Sequence, residues 1–576
     1  MASLQRVNVR GYSYWRIVES RRINGKPRPI VVAYLGKADD LLTRLRAADA
    51  VRIRSRAHGA VVALYALARQ LDIAATIDHH MSAAGRRDRR NPTPRRDPRR
   101  RPVQHDGLTV GQSLTLVAIG RACQATSKRA FAEWAQTTTL GELAGVDVER
   151  LTSQHFWDQM DQVPVEIIPN IEAELVRRAV EGFELTLDTL LFDATNFFTF
   201  IASTNTRAKL PARGHQKQKR NDLRQVGVAL LCSRHEGVPL WHRTYGGQLA
   251  DAKCFAEVLP MIQQRLAQLR CNPETLTIVY DKGNVSRENQ RLVDKAQLHF
   301  VTALPASTQR DLVTQANAQL TPVDLGDGKT VPAYRTRKTI WGAQRTVVVL
   351  VSERLRQGQM RGILQHVDSA RRWLDRLANT LRRGKQKRNR ARIERDIELR
   401  LKGGQHLSQL LRFHLVGEDP NLTLRYEFDQ AAFDELANNT LGRLLLMTDR
   451  HDWPTAHIIR SYRQQADIEA VFAHLKDPVH LALRPQHHWT DQKLHLHVFT
   501  CVLGYLLANL LHLSARRVGS PYASPEHLIA ALGRVRRATV ARPASGKGKG
   551  PLRLSTQIEE GEPELVALLA KLGVDI

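Results

Sequence analysis

The stretch Thr186-Leu-Asp-Thr-Leu-Leu-Phe-Asp193-Ala-Thr-Asn196 decides how this 576-residue chain is read. Its apolar and β-branched run predicts a strand that ends at Asp193. Two similar runs follow: Gln225 to Cys232, and Thr275-Leu-Thr-Ile-Val-Tyr280, which stops directly before Asp281. Helical patterns over 252–269 and 286–296 and a further strand at His299 to Ala303 complete a series of strands and helices around one sheet. That pattern predicts a multidomain α/β (α+β) protein whose core begins at residues 181–305.

Outward from this core the organisation changes several times. Tyr12 to Val18 and Pro29 to Tyr34 flank Asn24-Gly25, which predicts a β-hairpin inside an N-terminal region, 1–50. Ala60 to Leu71 repeats at helical spacing and breaks near Asp72, as either a helix-turn-helix or an ordinary helical pair. It opens a helical region, 51–180, read as DNA-binding or dimerising, with further helices at Val110 to Arg121 and at Ser127 to Gln136, the latter capped by Ser127. Within it, residues 82–105 form a linker rich in arginine (Arg86 to Arg101) and proline. Like-charge repulsion predicts an extended arm tracking phosphates, with a solvated linker as the plain alternative. Residues 306–452 read as an insertion with strands at 332–339, 344–352, 422–428 and 442–448. They surround a charged helical stretch containing Arg382, Arg383, Lys385, Lys387, Arg388, Arg390, Arg392 and Arg395. Residues 453–515 return to helix and close the core; 516–576 read as a basic tail, flexible around 544–551.

Lys plus Arg number 86 against 57 Asp plus Glu, a formal net charge of +29. Such an excess attracts polyanions over long range, so nucleic acid is the expected partner class and an anionic membrane the weaker one. The 42% hydrophobic content excludes a wholly disordered chain. Five scattered cysteines exclude a disulfide scaffold and a C-x-x-C zinc site. With no secretory pattern at the start, the expected location is a reducing cytosol. The most apolar segment, Val498 to Leu513, is short for a membrane span and reads as a buried core helix, so no membrane partner is expected.

Asp193 and Asp281 each follow a strand, where open sheets present side chains to a crevice. In Asp281-Lys-Gly-Asn-Val-Ser286-Arg-Glu-Asn289, Gly283 permits a tight turn and Ser286 caps the next helix. Tyr462, Glu469 and Lys476 recur every seven residues, which places them on one helix face, with Ile468, Val471, Phe472 and Leu475 as the packing face. Three converging carboxylates repel; two unit charges about 4 Å apart cost about 4 kcal/mol at an effective dielectric of 20. Hard divalent cations remove that cost, which predicts Mg²⁺ or Mn²⁺, two ions together being suited to phosphodiester chemistry. Tyr462 and Lys476 are placed to hold a phosphate. Between the first two strands lies a basic loop with Arg207, Lys209, Arg213, Lys217, Lys219, Arg220 and Arg224.

Asp193-Ala-Thr-Asn196, Asp281-Lys-Gly-x-x-Ser-x-x-Asn289 and the spacing Tyr462, Gln465, Glu469, Lys476 resemble the bacterial insertion-sequence transposases of the DDE type with a Tyr-Arg-Glu-Lys signature. The likeness extends over most of residues 10–510, including Tyr34-Leu-Gly36, Ser127-Lys128 to Trp134, Gly247 with Asp251, and Arg484-Pro485 with His497. The resemblance implies an RNase H-like catalytic core interrupted by an inserted domain and Mg²⁺-dependent cut-and-paste transposition. It further implies Asp193, Asp281 and Glu469 as catalytic metal ligands, and double-stranded DNA as partner, bound at terminal inverted repeats by a homodimer. Tyr462, Lys476, Gln465, Lys217, Lys219, Arg220 and Arg484 are the expected DNA contacts. One departure from the signature is that its arginine position is Gln465. Two other classes remain open: an RNase H-like nuclease without strand transfer, and a domesticated, non-catalytic DNA-binding protein.

Overall fold

The computed structural model describes residues 2–23, 26–48, 52–90, 107–214, 222–326, 328–383, 389–419, 421–484, 487–543 and 552–576. They divide into two compact units. The first comprises Met1–Ala179, His474–Arg484 and Gln492–Ile576; the second comprises Val180–Ala473 and Pro485–Asp491.

In the first unit, β1 (Ala2–Val9), β2 (Tyr12–Ile23) and β3 (Lys26–Lys37) form an antiparallel sheet. β2 and β3 are the predicted hairpin, and β1 is a third strand that the sequence did not announce. The pair Ile23↔Lys26 brackets Asn24-Gly25, which lie outside the described residues. After β4 (Arg52–Ala57) come helices Gly59–Gln70 and Ile73–Arg90. They bend by 46° at their junction, where Asp72 has φ 51°. A helix-turn-helix turns through about 90–120°, and Gly59–Gln70 is buried on most of its faces, so this is the ordinary helical pair. The second helix runs through Arg90, so the start of the segment expected to be extended is helical; 91–106 lie outside the described residues.

Helix Val110–Cys123 starts at a reciprocal capping box between Thr109 and Gln112. Ser127 Oγ accepts the Ala130 N–H at 3.2 Å, but the helix itself begins later than expected, at Phe131. The five cysteines carry no disulfide.

The second unit is built on a nine-stranded mixed sheet. Its members are β5 (Thr189–Phe198), β6 (Gln225–Ser233), β7 (Pro239–Gly246), β8 (Thr277–Tyr280), β9 (His299–Leu304), β10 (Thr321–Asp324), β11 (Thr330–Ile340), β12 (Ala343–Val351) and, after an excursion, β15. The excursion contains the hairpin β13 (Leu411–Val416) and β14 (Thr423–Phe428), and β15 is Arg443–Thr448. The spatial order is β10-β11-β12-β15-β9-β8-β5-β6-β7. The five strands β7-β6-β5-β8-β9 are the RNase H-like element. β5, β6 and β7 are a meander of antiparallel pairs, and β8 and β9 add in parallel on the other side of β5. Residues 190–192, 226–232 and 276–280 are almost wholly buried, as expected for strands covered on both faces.

The insertion is narrower than 306–452. β10, β11, β12 and β15 pair antiparallel onto β9 and belong to the core sheet. What stands apart is the segment from helix Glu353–Arg382 to helix Gln430–Asn439, which has its own apolar core including Ile363, Leu374, Ile397, Leu411 and Phe433. Strand-like sequence alone could not separate sheet extension from insertion, because both read as short apolar runs. Within the charged stretch, helices Glu353–Arg382 and Arg390–Lys402 are separate; 384–388, with Lys385, Lys387 and Arg388, lie outside the described residues.

The C-terminal part of the first unit is folded rather than a tail. Helix Asp491–Arg517 has 27 residues and is apolar and long enough to span a membrane, but 89% of its most apolar window is buried inside the protein, as expected of a core helix. A Cβ on Gly504 would stand 2.8 Å from Ala118 O, so the helix backbones touch there. Helix Pro525–Leu532, β16 (Arg536–Pro543), β17 (Leu552–Ile558) and helix Pro563–Lys571 follow, and β16 pairs with both β17 and β4. Residues 516–543 and 552–576 thus complete a sheet begun at Arg52. The basic stretch 544–551 lies outside the described residues.

Candidate active site

Asp193 and Asp281 are brought together by register. β5 and β8 run parallel with Phe192 opposite Tyr280, so the next position on each strand is a carboxylate. In-register neighbours of parallel strands point to the same face, about 4.8 Å apart. β5 does not end at Asp193 as the sequence suggested; it continues to Phe198, paired with β6. The Asp193 Oδ1 accepts the Ala194 N–H at 2.8 Å.

Asp281 leaves β8 in extended conformation (φ −71°, ψ 157°) and heads the single turn Lys282–Asn284. Ser286 caps helix Arg287–Lys295, its Oγ accepting the Asn289 N–H at 3.0 Å. Asn289 then buckles the turn: its Nδ2 donates to Asn284 O (2.7 Å) and to Ala252 O (2.9 Å). These two motif residues hold the loop that carries Asp281. Gly283 does not have the left-handed backbone that a tight glycine turn would need. A Cβ there would stand 3.7 Å from Asp281 Oδ2, so glycine keeps the flank of the carboxylate open.

Tyr462 does not share a helix with Glu469. Helix Thr455–Arg463 stops, Gln464 forms a turn, and a second helix runs Gln465–Lys476. At the break the Asp467 N–H reaches Gln464 O at 2.8 Å in a tighter, three-residue pattern. The seven-residue stripe therefore holds for Glu469 and Lys476 only. Tyr462 nevertheless meets the carboxylates, because its hydroxyl donates to Asp281 Oδ1 at 3.1 Å. Burial raises the phenol's pKa first, then the charge and hydrogen bond of Asp281, then the charges of Asp193 and Glu469. All three carboxylates bear on this one hydroxyl, which stays a donor at neutral pH.

On the helix Gln465–Lys476, Ile468, Val471, Phe472 and Leu475 are buried as the pattern predicted, and Glu469 lies on the exposed side. Gln465 is 8% exposed. Arg484 is described, whereas Lys217, Lys219 and Arg220 lie outside the described residues. Arg224, counted with the basic loop, is spent internally: its guanidinium donates to the carbonyls of Ile201, Ala202 and Asn205.

The donor set suits a hard divalent cation in kind, since it offers only carboxylate oxygens. Among the described residues, no three His, Cys, Asp or Glu side chains stand close enough to form a ready-made ligand cluster. Of the three carboxylates, Asp281 touches the Tyr462 hydroxyl, and the charges of Asp193 and Glu469 act on it less strongly.

Sequence reasoning missed Tyr245. It is buried (3% exposed), and burial, then the charges of Cys254 and Asp251, and further the charge of Asp193, raise its pKa. Its ring lies across Gly227, where a Cβ would come within 2.1 Å of it. The signal was an isolated glycine inside an apolar strand, which marks a close approach by another group.

The family described as Transposase DDE domain matches residues 186–507, more than half of the chain, and the family described as IS1634 family transposase, N-terminal domain, matches residues 4–59. No curated protein matched the sequence. Among solved structures, a cryo-EM structure of a piggyBac transposase synaptic complex with hairpin DNA aligns over 81% of this chain and 79% of that chain, at 9% identity and a TM-score of 0.37. An RNase H-like sheet with paired carboxylates at its centre, inside a matched region of this length, makes the chain a member of the DDE transposase family and a DNA transposase of the insertion-sequence kind.

Proposed function

We propose that this transposase binds the terminal inverted repeats of its own element, as a homodimer on the bacterial nucleoid in the cytoplasm, and moves the element by cut-and-paste. Asp193, Asp281 and Glu469 would hold two Mg²⁺ or Mn²⁺ ions, which when bound supply charge neutralisation at the attacking and leaving oxygens. The observation that carries this reading is the parallel register that sets Asp193 and Asp281 side by side, with the Tyr462 hydroxyl on Asp281. In the first step a water oxygen attacks the phosphorus at the element end. The bond to the 3′ oxygen breaks, and that oxygen leaves as a hydroxyl after taking up a proton. In the second step this hydroxyl gives up its proton and its oxygen attacks a target phosphorus; the bond from that phosphorus to the target's own 3′ oxygen breaks, and that oxygen takes up a proton and leaves as a hydroxyl.

Within this scheme Tyr462 orients the Asp281 carboxylate through its hydrogen bond. Lys476, seven residues beyond Glu469 and about 20° from it around the helix, would grip a phosphate of the terminal nucleotides, as would Arg484. Lys217, Lys219 and Arg220 are proposed as further phosphate contacts from the basic loop. Gln465 is the weakest of the expected DNA contacts, since its side chain is buried.

The test is cleavage of a duplex carrying the element's own terminal repeat. Wild-type protein is expected to nick it with Mg²⁺ or Mn²⁺ and not in chelator, and Asp281→Ala to lose cleavage while keeping binding. Cleavage that survives in the single variants Asp193→Ala, Asp281→Ala and Glu469→Ala would sink the assignment. Hydrolysis with no plasmid integration would mean a nuclease instead.

A further inference from the structure

β5 runs six residues beyond the end of its neighbour β8, five of them past Asp193, accompanied by β6 through the pair Phe198↔Gln225. The chain then enters the loop 199–214, which is tied down on several sides within the second unit. Arg224 holds three of its carbonyls, as above. The Asn205 Oδ1 accepts the N–H groups of Arg207 (2.8 Å) and Ala208 (3.3 Å), and its Nδ2 donates to Trp489 O at 3.2 Å. Asp491 Oδ1 accepts from the N–H groups of Lys209 (2.8 Å) and Leu210 (2.9 Å). Segment 487–491 and loop 199–214 are thereby fixed to each other by hydrogen bonds.

On this fixed base the rings face solvent. Trp489 is 67% exposed and Phe200 48%. Phe200 stacks on His487, with centroids 5.4 Å apart and planes 19° from parallel, and Phe198 meets Phe200 edge-on at 5.7 Å. Leaving a tryptophan this exposed forfeits much of the burial energy its ring could supply. The same loop carries Arg207, Lys209 and Arg213, all exposed, and residues 199–214 contain no Asp or Glu. Exposed flat rings beside a local excess of cations suit a ligand that has both flat faces and phosphates.

We infer that Phe200, His487 and Trp489 form a stacking platform for unpaired bases of a DNA strand, with Arg207, Lys209 and Arg213 on its phosphates. The inference deepens the proposed function and rests on it. A paired duplex hides its base faces except at its ends, whereas an opened strand offers one at every nucleotide, and base–aromatic stacking tolerates any sequence. From Asp193, five to seven strand residues at about 3.3 Å each span about 17–23 Å. At about 3.4 Å per nucleotide along a duplex, and more along an opened strand, the platform receives bases at most about seven nucleotides from the scissile phosphate. It therefore acts on a strand opened or frayed beside the cut, not on the nucleotide being cut.

The experiment uses the full-length protein and two fluorescent probes, an oligothymidine of about 16 nucleotides and a blunt duplex of equal length. Trp489→Ala and Phe200→Ala should each weaken binding of the single strand by about tenfold and change duplex binding by less than about twofold. Trp489→Phe, which keeps a ring, should restore single-strand binding, and Arg207→Ala should weaken both probes and lower the salt slope by about one. Equal losses on both probes, no loss on either, or no rescue by Trp489→Phe would overturn the platform. So would a light-scattering mass showing that Trp489→Ala turns a dimer into a monomer, since the rings would then be a subunit contact. Terminal-repeat cleavage that stays intact while Trp489→Ala has no effect refutes this inference alone; loss of cleavage-competent binding in the wild type refutes the proposed function.

Discussion

Substituting Asp281 by Asn should stabilise the metal-free protein while abolishing its chemistry. Asp193 and Asp281 occupy adjacent positions on parallel strands, following the pair Phe192 and Tyr280. At about 5 Å, two carboxylates repel by about 3 kcal/mol at an effective dielectric of 20 and about 1 kcal/mol in bulk water. Both residues are partly exposed, so the relief lies between these limits, at about 1–2 kcal/mol. Little is lost on the other side of the balance. The amide oxygen of Asn still accepts the Tyr462 hydroxyl that now donates to Asp281 Oδ1 at 3.1 Å. For a domain of this size the gain corresponds to a rise in Tm of about 2–5 °C. Divalent cation reverses the order, because a ligand that binds only the folded state adds about 2.7 kcal/mol at one hundred times its Kd, and the variant forfeits a ligand. The assay is a thermal melt of both proteins in chelator and in excess Mg²⁺: Asp281→Asn should melt higher in chelator and lower, relative to wild type, in Mg²⁺. A variant that melts below wild type in chelator, or that gains as much as wild type from Mg²⁺, would refute the reasoning.

Two more outcomes follow from single contacts. Gly227→Ala drives a methyl to within 2.1 Å of the buried Tyr245 ring; overpacking of this kind should cost about 1–3 kcal/mol, read as a lower urea midpoint, and an unchanged midpoint would mean the ring is free to move. In the first unit, Glu526 accepts from His474 Nδ1 at 2.7 Å. Burial works to raise the Glu526 carboxyl, but hydrogen bonds from His474 and Ser524 and the His474 charge outweigh it and hold it at about 2. A carboxyl depressed in the folded state contributes stability above its ordinary value of 4.5 that is lost as pH falls toward about 2. Glu526→Gln should flatten the fall in stability across that window, and a variant with wild-type acid sensitivity would show that the pair contributes nothing.

The strands of the catalytic sheet were legible because they are buried on both faces and so read as unbroken apolar runs: β6, β8, β9, β12 and β15 lie within about two residues of where the pattern placed them. β7 was missed because His242, Arg243 and Thr244 break its apolar run, and the end of β5 was misjudged because Asp193, Thr195 and Asn196 are polar residues in mid-strand. Those polar positions fall at the proposed site, and functional sites are where local patterns are most often broken. Asp281 was legible from its place after a strand and Asp193 from the apolar run before it, but their register was not, since β5 pairs with a strand offset by 88 residues in sequence, Thr189 lying opposite Thr277. Folded structure beyond Arg517 escaped the reading because β16 finds its partner at Arg52 to Ala57, far away in sequence.

The helix break at Gln464 explains why the Tyr-Arg-Glu-Lys spacing can survive without its arginine. In one unbroken helix, a residue at 465 would share a face with Tyr462 and Glu469, and an arginine there would extend the phosphate-binding stripe. Here the chain restarts at Gln465, whose side chain is 8% exposed and sits beside Ile468 on the buried side. A guanidinium in that position would have to be desolvated, at a cost of several kcal/mol unless it is paired, whereas a neutral amide carries a far smaller cost. The same break ends the preceding helix at Arg463, which is exposed. The signature's positive charge and its position have thus come apart: the spacing keeps Tyr462 against Asp281 and Glu469 on the open face, while any cation that meets the phosphate must come from outside position 465.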